Sequence, residues 1–395
     1  MDFWRLKSAG YALLLSLSAI SFHCRAGEPS AFSKEKRAEL QRLADDPKIE
    51  RAGAAWTLAS ENAVQLHLRG VAANGDARSL LAASMLLYGF GGVAEGNGPD
   101  SAGPAQETRE WFDAARRARP RDVLVAWMEA SGCGNLTDTC NRQEALRYLL
   151  ATEPHNAAVQ LLALADAETR GDRKAMGLYW KSASSASTYD PHTLEVNRLL
   201  HGALQDIGFP PLAPRLAEVM GAQLGLDRAA TPRDLANVRV TAISAALVLP
   251  GFTPITRFCK IDQLATASIM RRAECERVLE LLATDESTVI GPMIALPRLV
   301  VLAGETAEGR KLRERLRQFY WLYENAVQSW MPGSPPPVPL PAEYATWLMT
   351  EGELAAMRKL IARYEVAAEA PAGWLPRAPR DRALVTTGKE PAVAR

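Results

Sequence analysis

Residues 156–184 read NAAVQLLALADAETR, then Gly171-Asp172, then RKAMGLYWKSAS, and their reading decides the fold. Both blocks have helical periodicity and are rich in Ala, Leu, Lys and Arg, residues that lose little on entering a helix. A two-residue connection leaves the second helix no course but back along the first, so the two form an antiparallel pair. Pro154-His155 and Asp190-Pro191 are equally short joints on either side, and they extend the argument up and down the chain.

Working outward, periodicity predicts helices over 33–44, 49–72, 77–88, 106–117, 121–131, 142–152, 156–170, 173–184, 191–206 and 212–224. They resume over 232–249, a hairpin over 259–283, then 287–303, 306–330 and 342–368. The run 238–249 could alternatively be a buried strand, but its length and Ala content favour a core helix. No alternating strand or two-residue β-hairpin turn is present. The expected class is all-α, stacked antiparallel helix pairs in an α-solenoid-like arrangement. Two gaps cannot be helical throughout: 90–105, with five glycines and two prolines, and 331–341, where Pro335-Pro336-Pro337 forces an extended strap. A composition shift near 225–231 divides an N-terminal domain, 27–225, from a C-terminal one, 226–370. Beyond it, Pro and Arg with scattered apolar residues predict a disordered tail over 371–395.

The first 26 residues carry an address. Arg5 and Lys7 precede an apolar run over 9–22, and Cys24-Arg25-Ala26 then supplies small residues where a signal peptidase cuts. As a helix this run is roughly 21 Å long against a hydrocarbon core of roughly 30 Å, so a signal peptide cleaved near Ala26 is expected, with a periplasmic or secreted destination. A lipid anchor on Cys24 is the rival, opposed by the bulky His23 before it. No later stretch approaches 18 apolar residues, so no membrane insertion is expected after cleavage.

Export changes how the cysteines read. Beyond Cys24 they fall into two couples, Cys133 with Cys140 and Cys259 with Cys275, and two disulfides are expected. The second couple is the sharper test. One straight helix over 259–275 would hold the Cα atoms roughly 24 Å apart, whereas a bridge needs less than about 7 Å, so pairing demands a bend near 266–268. The spacings lack the tight grouping of a zinc site and the Cys-x-x-Cys of a redox couple.

Charge excludes one partner class. The chain has 46 Lys and Arg against 45 Asp and Glu. The leader holds Arg5, Lys7, Arg25 and Asp2, so its loss leaves one acid in excess. Basic residues alternate with acids, as in Glu107-Arg109-Glu110, and the basic run 310–317 reads as a solvated helix face; no nucleic acid is expected.

Between Ala77 and Ala115, Leu80, Leu81, Tyr88, Gly89, Gly91-Gly92-Val93, Trp111 and Ala114-Ala115 echo Tyr-x-x-Gly-x-Gly-Val and Trp-x-x-x-Ala-Ala. This resembles the Sel1-like repeat, the short cousin of the tetratricopeptide repeat. One residue is missing before Gly92-Val93 and another between Trp111 and Ala114, and an insertion runs over 95–105. A tetratricopeptide-type echo follows at Ala145-x3-Leu149 and, thirty residues on, Ala175-x3-Tyr179, against a usual period of 34. The resemblance covers about residues 77–186 and implies a curved helical stack that binds a protein or peptide without catalysis.

Motifs of chemistry are scarce. His192 and Glu195 share a helix face at i, i+3, while His201 lies on the opposite side. There is no His-Glu-x-x-His, no Gly-x-Ser-x-Gly elbow and no phosphate loop in 89–98, so no catalytic residue, metal or cofactor is assigned. Asp45-Asp46 and Asp285-Glu286 read as turn or cap acids. Asn135-Leu136-Thr137 matches a glycosylation acceptor, which the bacterial-looking composition argues against. Phe319, Tyr320, Trp321 and Tyr323, with Trp330 beyond, cannot all face one side of a helix, so they are either sandwiched between neighbours or form a partner surface under the strap 334–341. The expected function is a non-catalytic protein-interaction scaffold of the bacterial envelope. The alternatives are a periplasmic enzyme of an all-α class and a structural envelope protein.

Overall fold

The structure, a computed structural model, describes residues 39–40, 42–91, 103–132, 140–224, 226, 228–246, 252–260, 263, 267–326 and 340–389. The leader, Cys133, the 135–137 acceptor, Trp330 and the prolines at 335–337 lie outside the described residues. Helices are α1 (Pro47–Ala72), α2 (Ala77–Gly91), α3 (Gly103–Arg117), α4 (Val123–Gly132), α5 (Arg142–Thr152), α6 (Ala157–Thr169), α7 (Arg173–Ser185), α8 (Thr193–Ala203) and α9 (Pro214–Gln223). Then come α10 (Pro232–Ala246), α11 (Phe252–Phe258), α12 (Ile269–Ala283), α13 (Ile290–Ala303), α14 (Ala307–Ala326), α15 (Tyr344–Glu351), α16 (Glu353–Arg363) and α17 (Pro379–Thr387). The chain is all-helical, with no strand among the described residues. Sequential neighbours pack together, among them α1 on α2, α2 on α3, α4 on α5, α6 on α7, α12 on α13 and α15 on α16.

Two apolar cores form among the described residues. The first gathers the i, i+4 stripe Val64, Leu68 and Ala72 of α1 with Leu81 and Leu86 of α2, Phe112, Leu124 and Leu149, and it also takes Val240 of α10 and Met349 of α15. The second is built from Trp180, Ile255, Leu279, Leu282, Leu296, Leu316 and Leu360. α6 is the shared wall. Its Ala158, Val159 and Leu162 face the first core while Leu161 and Leu164 face the second. Asn156 holds the start of α6, accepting from Ala158 N at 3.0 Å and from Asp190 N at 3.0 Å.

The Cys259–Cys275 disulfide forms, with Cα atoms 5.7 Å apart. The bend it required falls before α12, where Ser268 caps the helix by accepting from Arg271 N at 3.2 Å. Trp180 and Phe258 stack beside it at 4.8 Å, with Arg271 over both rings.

Two expectations are corrected. The single helix over 342–368 is α15 and α16, broken at Gly352 with φ 95°. There a Cβ would come within 2.9 Å of the Glu286 carbonyl oxygen, so the close approach of that turn requires glycine. The 371–395 segment, expected to be disordered, instead carries α17, with Leu384 and Val385 buried in the second core. Composition undercounted it because a few apolar residues suffice when a long helix offers them a groove.

That groove lies along α14 and explains its aromatic run. Phe319, Tyr320 and Leu322 are buried, while Trp321 and Tyr323 are half-buried. Tyr320 donates to Asp381 Oδ1 at 2.9 Å, Trp321 Nε1 donates to Ala367 O at 2.8 Å, and the Trp321 ring meets Trp374 edge-on at 5.2 Å. Of the rings read as a possible partner surface, Tyr320 and Trp321 thus contact this chain's own C-terminal segment.

Candidate functional site

The sequence-flagged histidines separate as the helix wheel requires. His192 sits at the start of α8 with φ 54°, a left-handed conformation rare outside glycine. Its Nδ1 lies 3.3 Å from Glu195 Oε2 and its Nε2 3.1 Å from Glu153 Oε2, and Trp127 meets its ring edge-on at 5.1 Å. Arg78 then joins Glu195, at 2.7 Å, to Asp122, at 2.9 Å. The pairing of His192 with Glu195 follows from their spacing; that with Glu153, 39 residues away, does not. These contacts tie His192, Glu153, Glu195, Arg78 and Asp122 to one another.

His201, at the far end of α8, opens instead on a cleft of about 410 Å³ lined by Gln205, Arg228, Thr231, Arg233, Asp234, Asn237, Ala342 and Thr346. Three segments build it. α8 supplies His201 and the turn after it, and Arg198 ties that helix to α15 by donating to Thr350 O at 2.7 Å. The 228–231 loop folds over α9, where Ala230 N donates to Ala217 O at 2.8 Å; a Cβ on Gly221 would collide with the backbone of Arg228 and Ala230. α10 begins with a reciprocal cap in which Thr231 N and Oγ1 both donate to Asp234 Oδ2 at 2.7 Å. The amino ends of α10 and α15 both reach the cavity wall, through 231–237 and 342–346.

Its electrostatics follow from these contacts. Arg228 grips Asp234 through both terminal nitrogens, at 2.7 and 2.9 Å. Burial alone would raise the Asp234 carboxyl, but the Arg228 and Thr231 hydrogen bonds and the Arg228 charge outweigh it and hold it below the ordinary range. Arg233 is clamped on the end of α8, donating to Leu204 O at 2.6 Å and to Gln205 O. Burial, and then the Arg233 charge, push the His201 imidazole down, so its neutral form is favoured. Its Nε2 lies 2.5 Å from Gln205 Nε2.

Two polar side chains remain unmatched. Asn237 lines the cleft, is 7% exposed, and makes no side-chain hydrogen bond among the described residues. One turn before His201 on α8, Asn197 is 6% exposed and its Oδ1 has no partner. Native proteins rarely bury a group such as the Asn197 carbonyl unpaired, whereas the Asn237 amide keeps contact with the open cleft. None of the cleft residues except His201 carried a sequence signal, because the argument needs three segments brought together by the fold. Among the described residues no cluster of His, Cys, Asp and Glu could hold a metal ion, and no helix is long and apolar enough to cross a membrane.

Set against known protein families, curated proteins and solved structures, the chain matches none of them.

Proposed function

We propose that the protein is an exported, non-catalytic helical scaffold of the bacterial envelope, with stacked helix pairs of the Sel1-like or tetratricopeptide type, and that it binds a protein or peptide partner at the polar cleft. Export is supported by the leader's layout and by the Cys259–Cys275 bond, since disulfides persist in oxidising compartments. The observation that carries the reading is the unpaired state of Asn237 in an open cleft. Its amide atoms keep contact with the open cleft, so they are available to hydrogen-bond an occupant.

A photo-crosslinking residue at Thr346, expressed in the native host, should trap one defined partner. The same residue at exposed Lys174 on α7, away from the cleft, should not. Absence of any adduct at Thr346, or identical adducts at both positions, would refute the reading. The enzyme alternative has one observation in its favour, the placement of His201 at the cavity wall, where burial favours the neutral imidazole. It requires a turnover that His201→Gln abolishes while partner binding is kept.

A further inference from the structure

The geometry points to an oxyanion as the cleft's occupant: a carboxylate or phosphate group carried on a small acid or at the end of a peptide. The inference rests on the cleft being the contact site proposed above, and it names what that site recognises.

The charges in the cleft do not cancel. Arg228 is matched by Asp234, and that carboxylate already takes bonds from Arg228 and Thr231, so its acceptors are largely spent on the chain itself. Arg233 has no carboxylate partner among the salt bridges of the described residues. Its contacts are the carbonyls of Leu204 and Gln205, which fix the guanidinium at the cavity wall without neutralising it. The amino ends of α10 and α15 carry Asp234 and Glu343, so the surplus positive charge at the wall rests on Arg233. An anion is therefore favoured over a cation.

Asn237 supplies the second, independent observation. Nine-tenths buried, facing the cavity and unpaired, it offers an amide N–H₂ to an incoming oxygen and a carbonyl to an N–H. A carboxylate terminus with its preceding peptide group carries both complements. The cavity, at about 410 Å³, falls within the roughly 300–1,000 Å³ of small-ligand sites. It admits the end of a chain or a free acid rather than a folded surface.

His201 makes this measurable. Burial, and then the Arg233 charge, lower its imidazole, and an anion seated beside both should offset the second and move it back up. The full chain is titrated by NMR, with the His201 signal identified by its loss in His201→Gln. The probes, at constant ionic strength, are inorganic phosphate, an N-acetylated dipeptide with a free carboxyl terminus, the same dipeptide as its amide, and chloride. Phosphate or the acid dipeptide should raise the His201 pKa saturably, the tighter of the two identifying the source, while the amide and chloride leave it unmoved. Asn237→Leu should weaken binding about tenfold, the loss of one good hydrogen bond to a charged group. Asn237→Asp should abolish it by repulsion.

The inference is overturned if the amide binds as tightly as the acid, if chloride reproduces the shift, or if folded Asn237 variants titrate like wild type. Should neither variant fold, the four probes on the unaltered chain still decide. A partner trapped at Thr346 with silent anion titrations would sink this inference and leave the scaffold reading standing; saturable anion binding without any trapped partner would do the reverse.

Discussion

Glu129 in the first core and, in the second, Asp285 with the half-buried Glu353 are acids withdrawn from solvent, but their surroundings differ. Glu129, 2% exposed, receives Arg116 and Arg121 at 2.7 Å each and Asn141 N at 3.0 Å. Asp285 and Glu353 have no salt bridge among the described residues. Asp285 Oδ1 accepts from Ser287 N at 2.9 Å and from its hydroxyl at 2.5 Å, and Glu353 Oε2 accepts from Val289 N at 2.5 Å. Burial dominates there and pushes both carboxyls up, with Asp190 adding to the rise at Asp285 and Asp285 to that at Glu353. The lesson concerns charge: hydrogen bonds position a buried carboxylate, while a cation beside it offsets part of the cost of burying its charge. The second core compensates by other means, a covalent pin and a docked C-terminal helix.

The largest test of this contrast is Glu129→Ala. It takes away the carboxylate that two mostly buried guanidiniums share, leaving Arg116 with Asp113 and Arg121 with Glu144, and should lower stability by about 3 kcal/mol in urea unfolding. A loss under 1 kcal/mol, about what an exposed pair contributes, would place the cluster in solvent. Next comes Cys259→Ala with Cys275→Ala. Releasing a loop of 16 residues' separation should cost about 3 kcal/mol, and a reducing agent should mimic it in wild type.

The third test is pH. Carboxyls raised in the fold contribute stability that is complete below their ordinary values of 3.8 and 4.5 and is lost as pH rises through their higher folded values. Asp285→Asn with Glu353→Gln should therefore gain on wild type as the pH climbs from about 4 to 7. Parallel stability curves for the double variant would show that burial of charge is not what distinguishes the pair. Smallest is Tyr320→Phe, which removes the hydroxyl bond to Asp381 and should cost about 1 kcal/mol by calorimetry; a null result would mean that α17 is held by Leu384 and Val385 alone.

What the sequence disclosed, it disclosed through local period. Helix positions, the 156–184 pair and the bend between Cys259 and Cys275 all follow from rules spanning fewer than about twenty residues. The aromatic run 319–323 signalled that α14 needed a second neighbour, yet nothing local identified it as residues 364–387. The tail in turn looked disordered because its few anchors, Trp374, Leu384 and Val385, gain their value only against α14. The cleft was hidden for the same reason. His201, Arg233 and Asn237 belong to different segments, and an unpaired amide is visible only once the groups around it have been placed.

α6 touches both cores, and that fixes its length. One inserted residue would rotate all that follows by about 100°, turning Leu161 and Leu164 off one wall and Leu162 off the other in a single event. Substitutions that conserve volume can be absorbed on either side alone, but an insertion or deletion cannot. Drift in this protein's lineage should leave α6 the one segment whose residue count never changes.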